Sequence, residues 1–126
     1  MKNIFILAIF SLFLSCSNYQ KLLKSEDFDQ KYESAIDYYN DADYSRALPL
    51  LEDLLSAFKG SSRSEDVYYY YIYTNFYLGD YYNASYHFKN FSKTFFSSKK
   101  SEEMAFMAAY CFYLDSPDYN FDQTNT

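Results

Sequence analysis

The chain has 126 residues, 49% of them hydrophobic, with 17 Tyr and 13 Phe against no Trp, 2 Gly and 2 Pro. That length carries one small domain, and so few turn-formers exclude an all-β fold, which needs a breaker every 8 to 12 residues or so, about one per strand. A net charge of −6 and a pI near 4.6 exclude nucleic acid as a partner, because phosphate binding requires a basic face.

The chain begins with a positive residue, Lys2, and then runs apolar from Ile4 to Leu14 apart from Ser11. That run is too short to cross a bilayer, which takes about 20 residues, and a secretory signal peptide over 1–15 fits it. It ends in Phe13-Leu14-Ser15-Cys16, which resembles a bacterial lipoprotein box and departs from it in Phe13, where Leu is usual, and in the bulky Leu14. The resemblance implies that Cys16 is acylated and becomes the mature N-terminus; the alternative is an ordinary signal peptide cut nearby. Acyl chains at about 0.8 kcal/mol per buried CH₂ make a lasting anchor. Ser17, in place of the Asp that retains lipoproteins at the inner membrane, implies the outer membrane. The lack of an acidic run after Cys16 implies its periplasmic face. Cys111 is then left alone among apolar neighbours, which reads as a buried, inert thiol.

Residues 16–26 read as the lipidated N-terminus and a polar tether with one apolar patch, Leu22-Leu23. Asp27 is placed to cap a first helix running to about Asn40. A turn at Asp41-Ala42-Asp43 leads into a second helix from Tyr44 to about Phe58, which Pro49 should bend. Gly60 suits a left-handed residue after it. A second helix pair spans 64–97 and breaks at Leu78-Gly79-Asp80. Ser101 is expected to cap a fifth helix to about Leu114, with Glu102 and Glu103 in its first turn and Ser116-Pro117 as its stop.

One unit is written repeatedly. At an offset of 37 residues Tyr44 falls on Tyr81, Ala47 on Ala84, Leu51 on Phe88 and Leu54 on Phe91, and Ser64-Glu65-Asp66 falls on Ser101-Glu102-Glu103. Ala84 and Phe88 match the Ala-x3-Phe half of a tetratricopeptide repeat, a helix-turn-helix of about 34 residues. The fold expected is therefore an all-α tetratricopeptide-repeat (TPR) helical-hairpin solenoid of about two and a half repeats: 27–60, 64–97 and a partial third over 101–126. The missing second helix of the third unit leads to the expectation that this is the N-terminal part of a longer solenoid, with the fifth helix partly unpartnered.

The register sorts the aromatic residues. Ala35, Ile72 and Ala109 fall at the unit's eighth position and Ala47 and Ala84 at its twentieth, the small-residue crossing points, with Leu51, Leu54, Phe88 and Phe91 filling the core between. On the other face of each first helix, expected to line the concave side, lie Tyr32, Ile36 and Tyr39, then Tyr69, Tyr73 and Phe76, then Phe106, Tyr110 and Tyr113. An acid leads each row: Asp29, Asp66 and Glu103. Eight of these nine places are aromatic, where a solvated face would be rich in Lys and Glu. Two readings stay open: rings packing on one another across units, or a groove for an extended, aromatic-bearing peptide.

Nothing points to catalysis, a cofactor or a metal. His87 has no Cys or second His at ligand spacing. The pairs Glu52-Asp53, Glu65-Asp66 and Glu102-Glu103 read as solvated or capping charges, and no Gly-rich phosphate loop is present.

Gly79-Asp80-Tyr81-Tyr82-Asn83-Ala84-Ser85 followed by Phe88-Lys89-Asn90-Phe91, the lipoprotein box, the repeat pitch and the irregular stretch within Ala108 to Asp122 together resemble the BamD family, lipoproteins of the outer-membrane β-barrel assembly machinery. The resemblance covers essentially the whole chain and the N-terminal half of the family's five-unit architecture. It departs at Phe96, where the family usually ends the repeat with Pro. It implies a non-enzymatic scaffold whose N-terminal units face unfolded outer membrane β-barrel proteins. It also implies partnership with BamA and other assembly-machinery subunits, BamA being held mainly through C-terminal units absent from this sequence. The competing classes are a SusD-like glycan-binding lipoprotein and a generic periplasmic TPR interaction scaffold. The first of these needs a much longer chain and usually exposes Trp to sugar faces.

Overall fold

The computed structural model describes residues 18–116; the signal segment, Cys16 and the residues after Ser116 lie outside them. Among the described residues every regular element is a helix: α1 over 18–23, α2 Phe28–Asn40, α3 Tyr44–Ala57, α4 Ser64–Tyr77, α5 Tyr81–Thr94 and α6 Ser101–Asp115. None of them is long and apolar enough to cross a membrane. The expected all-helical hairpin architecture is present, and α3 continues through Pro49 to Ala57.

The repeat is visible down to single hydrogen bonds. At the end of α2 the Asp41 N–H donates to Asp37 O, Ala42 N–H to Tyr39 O and Asp43 N–H to Tyr38 O. Thirty-seven residues on, Leu78, Gly79 and Asp80 donate to Thr74, Phe76 and Asn75 in the same pattern. The middle residue of each turn is left-handed, Ala42 at φ +58° and Gly79 at +82°. The aspartates that close the turns then open the next helices: Asp43 accepts from Arg46 N–H at 3.2 Å and Asp80 from Asn83 N–H at 3.1 Å, each satisfying a donor the helix start leaves free. Asp27 does the same for α2 through Gln30 N–H at 3.0 Å.

Three local expectations differ. Ser101 is not a cap. Lys100 holds that place without a side-chain bond, and the Ser101 hydroxyl instead donates to Ser92 O at 3.2 Å, tying α6 to α5. Residues 18–23, read as tether, are helical, because Tyr19, Leu22 and Leu23 have an apolar surface to pack against. In α6 the buried small residue is Ala108 and not Ala109, which is exposed. Met104, Ala108 and Cys111 form the covered stripe because α5 is the helix that packs on α6. Ser85, beside Ala84, donates its hydroxyl to Ala108 O at 3.1 Å across that close contact.

Consecutive helices pack in order from α2 to α6, so that α4 is enclosed between α3 and α5. The core runs through Ala35, Ala47, Leu51 and Leu54 into Val67, Ile72, Ala84, Phe88 and Phe91, all without solvent exposure. Phe88 meets the ring of Tyr73 at 5.1 Å, edge to face. The most deeply buried charged residue is Lys31, whose ammonium pairs with Asp53 and donates to Leu23 O at 3.1 Å. One side chain thus joins α1, α2 and α3.

Candidate functional site

The three rows of the first-helix face have different surroundings. Tyr32, Ile36 and Tyr39 on α2 are half-buried. Tyr32 stands edge-on to Phe58 at 6.2 Å, and Tyr39 lies in a cluster with Tyr44, Tyr70 and Tyr77 at 5.6, 4.9 and 6.1 Å. On α4, Tyr69 leans on Tyr73 at 4.8 Å, and Phe76 reaches Tyr110 of α6 at 6.4 Å. Tyr73 is only 8% exposed and donates its hydroxyl to Glu103. Burial raises the phenol pKa of Tyr32, Tyr39, Tyr69 and Tyr73, so all four remain protonated hydrogen-bond donors throughout the neutral range.

The third row is open. Phe106 and Tyr110 stack 6.2 Å apart with rings 7° from parallel, and Tyr110 stacks on Tyr113 at 6.1 Å. Phe106 is 67% and Tyr113 75% exposed. An apolar ladder offered to solvent at this density marks a surface for a partner more readily than a core. The structure links Tyr69, Tyr73, Phe76, Phe106, Tyr110 and Tyr113 ring to ring across α4 and α6, whereas Tyr32 packs on Phe58 and Tyr39 reaches α4 through Tyr70 and Tyr77.

The acids that lead the rows have a role not anticipated from the sequence. Asp29 pairs with Arg63, whose guanidinium lies 5.6 Å from the Tyr32 ring centre. Asp66 pairs with Lys100 at 2.7 Å, and that ammonium sits 4.7 Å from the centre of Tyr69. Each cation stands 34 residues after its acid, at the threshold of the next unit, and clamps the acid and the tyrosine of the unit before it. The signal in the chain was that recurrent spacing of acid and base. The Ser98 hydroxyl adds a 2.6 Å bond to Glu65 in the second clamp.

The remaining candidates for chemistry are structural. His87 is half-buried in an aromatic surround, its Nδ1 at 2.9 Å from the Tyr68 hydroxyl with Tyr71 and Tyr86 edge-on to its ring. Burial lowers its pKa. Cys111 is fully buried, and desolvation with the nearby Asp115 charge pushes its thiol up to about 11, far from a nucleophile's range. No group of His, Cys, Asp and Glu that could hold a metal occurs among the described residues. Cys16, the expected lipid attachment, lies outside them.

A family model described as YfiO, outer membrane lipoprotein, matches residues 24–126. No curated protein matches the chain.

Proposed function

The chain belongs to the YfiO (BamD) family of outer membrane lipoproteins, and we propose that it is a non-catalytic scaffold of the β-barrel assembly machinery that holds unfolded outer membrane protein segments for insertion. It is anchored through lipid on Cys16, faces the periplasm and works beside BamA and the other assembly subunits.

The observation that supports the substrate reading is the open ladder Phe106–Tyr110–Tyr113, continued by Phe76 onto the rings of α4. An unfolded barrel strand carries unpaired backbone groups and one apolar face with side chains alternating at period two. Stacked rings receive such side chains without sequence-specific hydrogen bonds, which suits a scaffold serving many substrates. Each ring covered on binding contributes on the order of 1 to 2 kcal/mol by area, offset by the cost of ordering the peptide. Binding of about micromolar strength follows, and faster release than a tight complex would allow.

The test is photo-crosslinking from position 106 to a peptide ending in a barrel-type amphipathic strand, against a scrambled peptide of the same composition. Preferential crosslinking to the strand, reduced roughly tenfold by Tyr110→Ala with Tyr113→Ala, is expected. Equal crosslinking to both peptides would retire the groove.

A further inference from the structure

We infer that the edge formed by the α2–α3 turn, the α4–α5 turn and the C-terminal end of α6 lies against the phospholipid surface of the membrane that anchors the chain. The inference rests on the reading of Cys16 as the lipid-bearing residue.

The direction of α1 carries it. Tyr19, at the start of α1, donates its hydroxyl to Arg46 O at 2.8 Å and sets its ring edge-on to Tyr38 at 5.7 Å. Arg46 is held in turn by Asp43 and lies 4.6 Å over the Tyr38 ring. At the other end of α1, Leu23 O is bound by Lys31 near the start of α2. Helix α1 therefore runs from the side of the α2–α3 turn towards the opposite edge, and Asn18, at its start, lines a cavity with Tyr38 near the end of α2. Ser17 alone separates Asn18 from Cys16, and two residues of fully extended chain reach about 7 Å. A lipid on Cys16 brings this edge to the headgroups, whatever path the linking residues take.

The same edge is dressed for that position. Stacking of Tyr44 on Tyr77 at 4.8 Å joins the α2–α3 turn to the end of α4, and the Phe76–Tyr110 contact aligns the end of α6 with it. Tyr77, Leu78, Tyr82, Phe112 and Tyr113 are all exposed there, Tyr82 at 77%. Tyrosine places an apolar ring and a polar hydroxyl at the level where hydrocarbon gives way to headgroup. The opposite edge, a helix length of about 20 Å away, is of mixed charge: Lys59, Arg63, Lys99 and Lys100 stand beside the acidic first turns of α2, α4 and α6, with Arg63 paired to Asp29 and Lys100 to Asp66. Charge gives that edge no claim on the membrane, and the short reach from Cys16 selects the aromatic one. The selected edge also carries Asp37, Asp41, Asp80 and Asp115, so the lipid it accepts is zwitterionic.

The experiment uses the full chain, processed in cells and purified with its native N-terminus, carrying a benzophenone side chain at position 82, 113 or 96. Each protein is placed on phosphatidylcholine vesicles and irradiated, and mass spectrometry reads both phospholipid adducts and the state of Cys16. Adducts at 82 and 113 at least fivefold above those at 96, falling when phosphatidylglycerol is added, are expected. An acylated Cys16 with adducts at 96 equal to or above the other two overturns this orientation and leaves the anchor standing. An unmodified Cys16 overturns the anchor and the orientation together. Adducts at 82 and 113 that rise with phosphatidylglycerol overturn the assigned lipid chemistry.

Discussion

Ala42 occupies the left-handed position that Gly79 fills one unit later, at φ +58° against +82°. A Cβ in that region costs about 1 to 2 kcal/mol, part of which is offset because alanine has less unfolded-state freedom to lose than glycine. Ala42→Gly should therefore stabilise the fold by about 0.5 to 1 kcal/mol, read as a higher urea midpoint; a lower midpoint would contradict the strain. The opposite sign is expected at Phe88, fully buried between α4 and α5. Phe88→Ala should cost about 3 to 5 kcal/mol, whereas Tyr113→Ala, on an exposed ring, should leave the midpoint nearly unchanged. His87 adds a pH dependence. Burial holds its folded-state pKa below the ordinary 6.5 against the opposing charge of Asp80. The unfolded chain takes up the proton first as pH falls, so stability present above about pH 6.5 is lost below it, until the folded-state pKa is passed. Denaturation at about pH 7.5 and pH 5 should show a larger loss for the wild type than for His87→Gln. Identical losses would show that His87 is not the group responsible.

Among the elements, the two clamps decide how one unit meets the next. Both ion pairs are largely exposed, and such pairs contribute about 0 to 1 kcal/mol, to which a cation over a tyrosine ring adds about 0.5 to 1 kcal/mol. The expected effect is modest and shared between charge and ring. A double-mutant cycle of Lys100→Met with Asp66→Asn should give a coupling of about 0.5 to 1 kcal/mol that shrinks in about 1 M salt, where screening acts within about 3 Å. A coupling of zero at low salt would reduce the clamp to coincidence of spacing. Lys31 works differently, because it is buried and its partner Asp53 is half-exposed. Its removal takes away the tie from Leu23 O to α2 and leaves α1 held by Tyr19 on Arg46 and Tyr38 and by the packing of Leu22 and Leu23.

Across the whole molecule, protection should follow how many helices cover each element. Helix α4 lies between α3 and α5 and contributes Val67, Tyr71, Ile72 and Tyr73 to the core. Helix α6 rests on α5 through Met104, Ala108 and Cys111, and its aromatic ladder faces outward. In a solenoid each unit is held by its neighbours, so among the described helices the less covered ones open first. Hydrogen exchange should therefore find α6 amides opening at lower free energy than those of α4, with the gap narrowing when a strand peptide covers the ladder. Equal protection of the two helices in the free chain would contradict this.

Local chemistry in the chain was enough for α2 to α6, their order and the repeat, and not for α1, which is helical only because it has a surface to pack on. Apolar spacing, the aspartates at 27, 43 and 80, and the turn at Leu78-Gly79-Asp80 act over a few residues, and the 37-residue offset carries them from one unit to the next. The same chemistry could not rank the aromatic residues. Tyr73 and Tyr110 hold equivalent places in their units, yet one is nearly sealed and the other opens into the ladder. The helical period says which residues share a face and is silent on how many neighbours cover it. Ala109 failed as a core residue for that reason, and the burial of Lys31, the two interunit clamps and the meeting of Tyr19 with Arg46 arise from chain segments that only packing brings together.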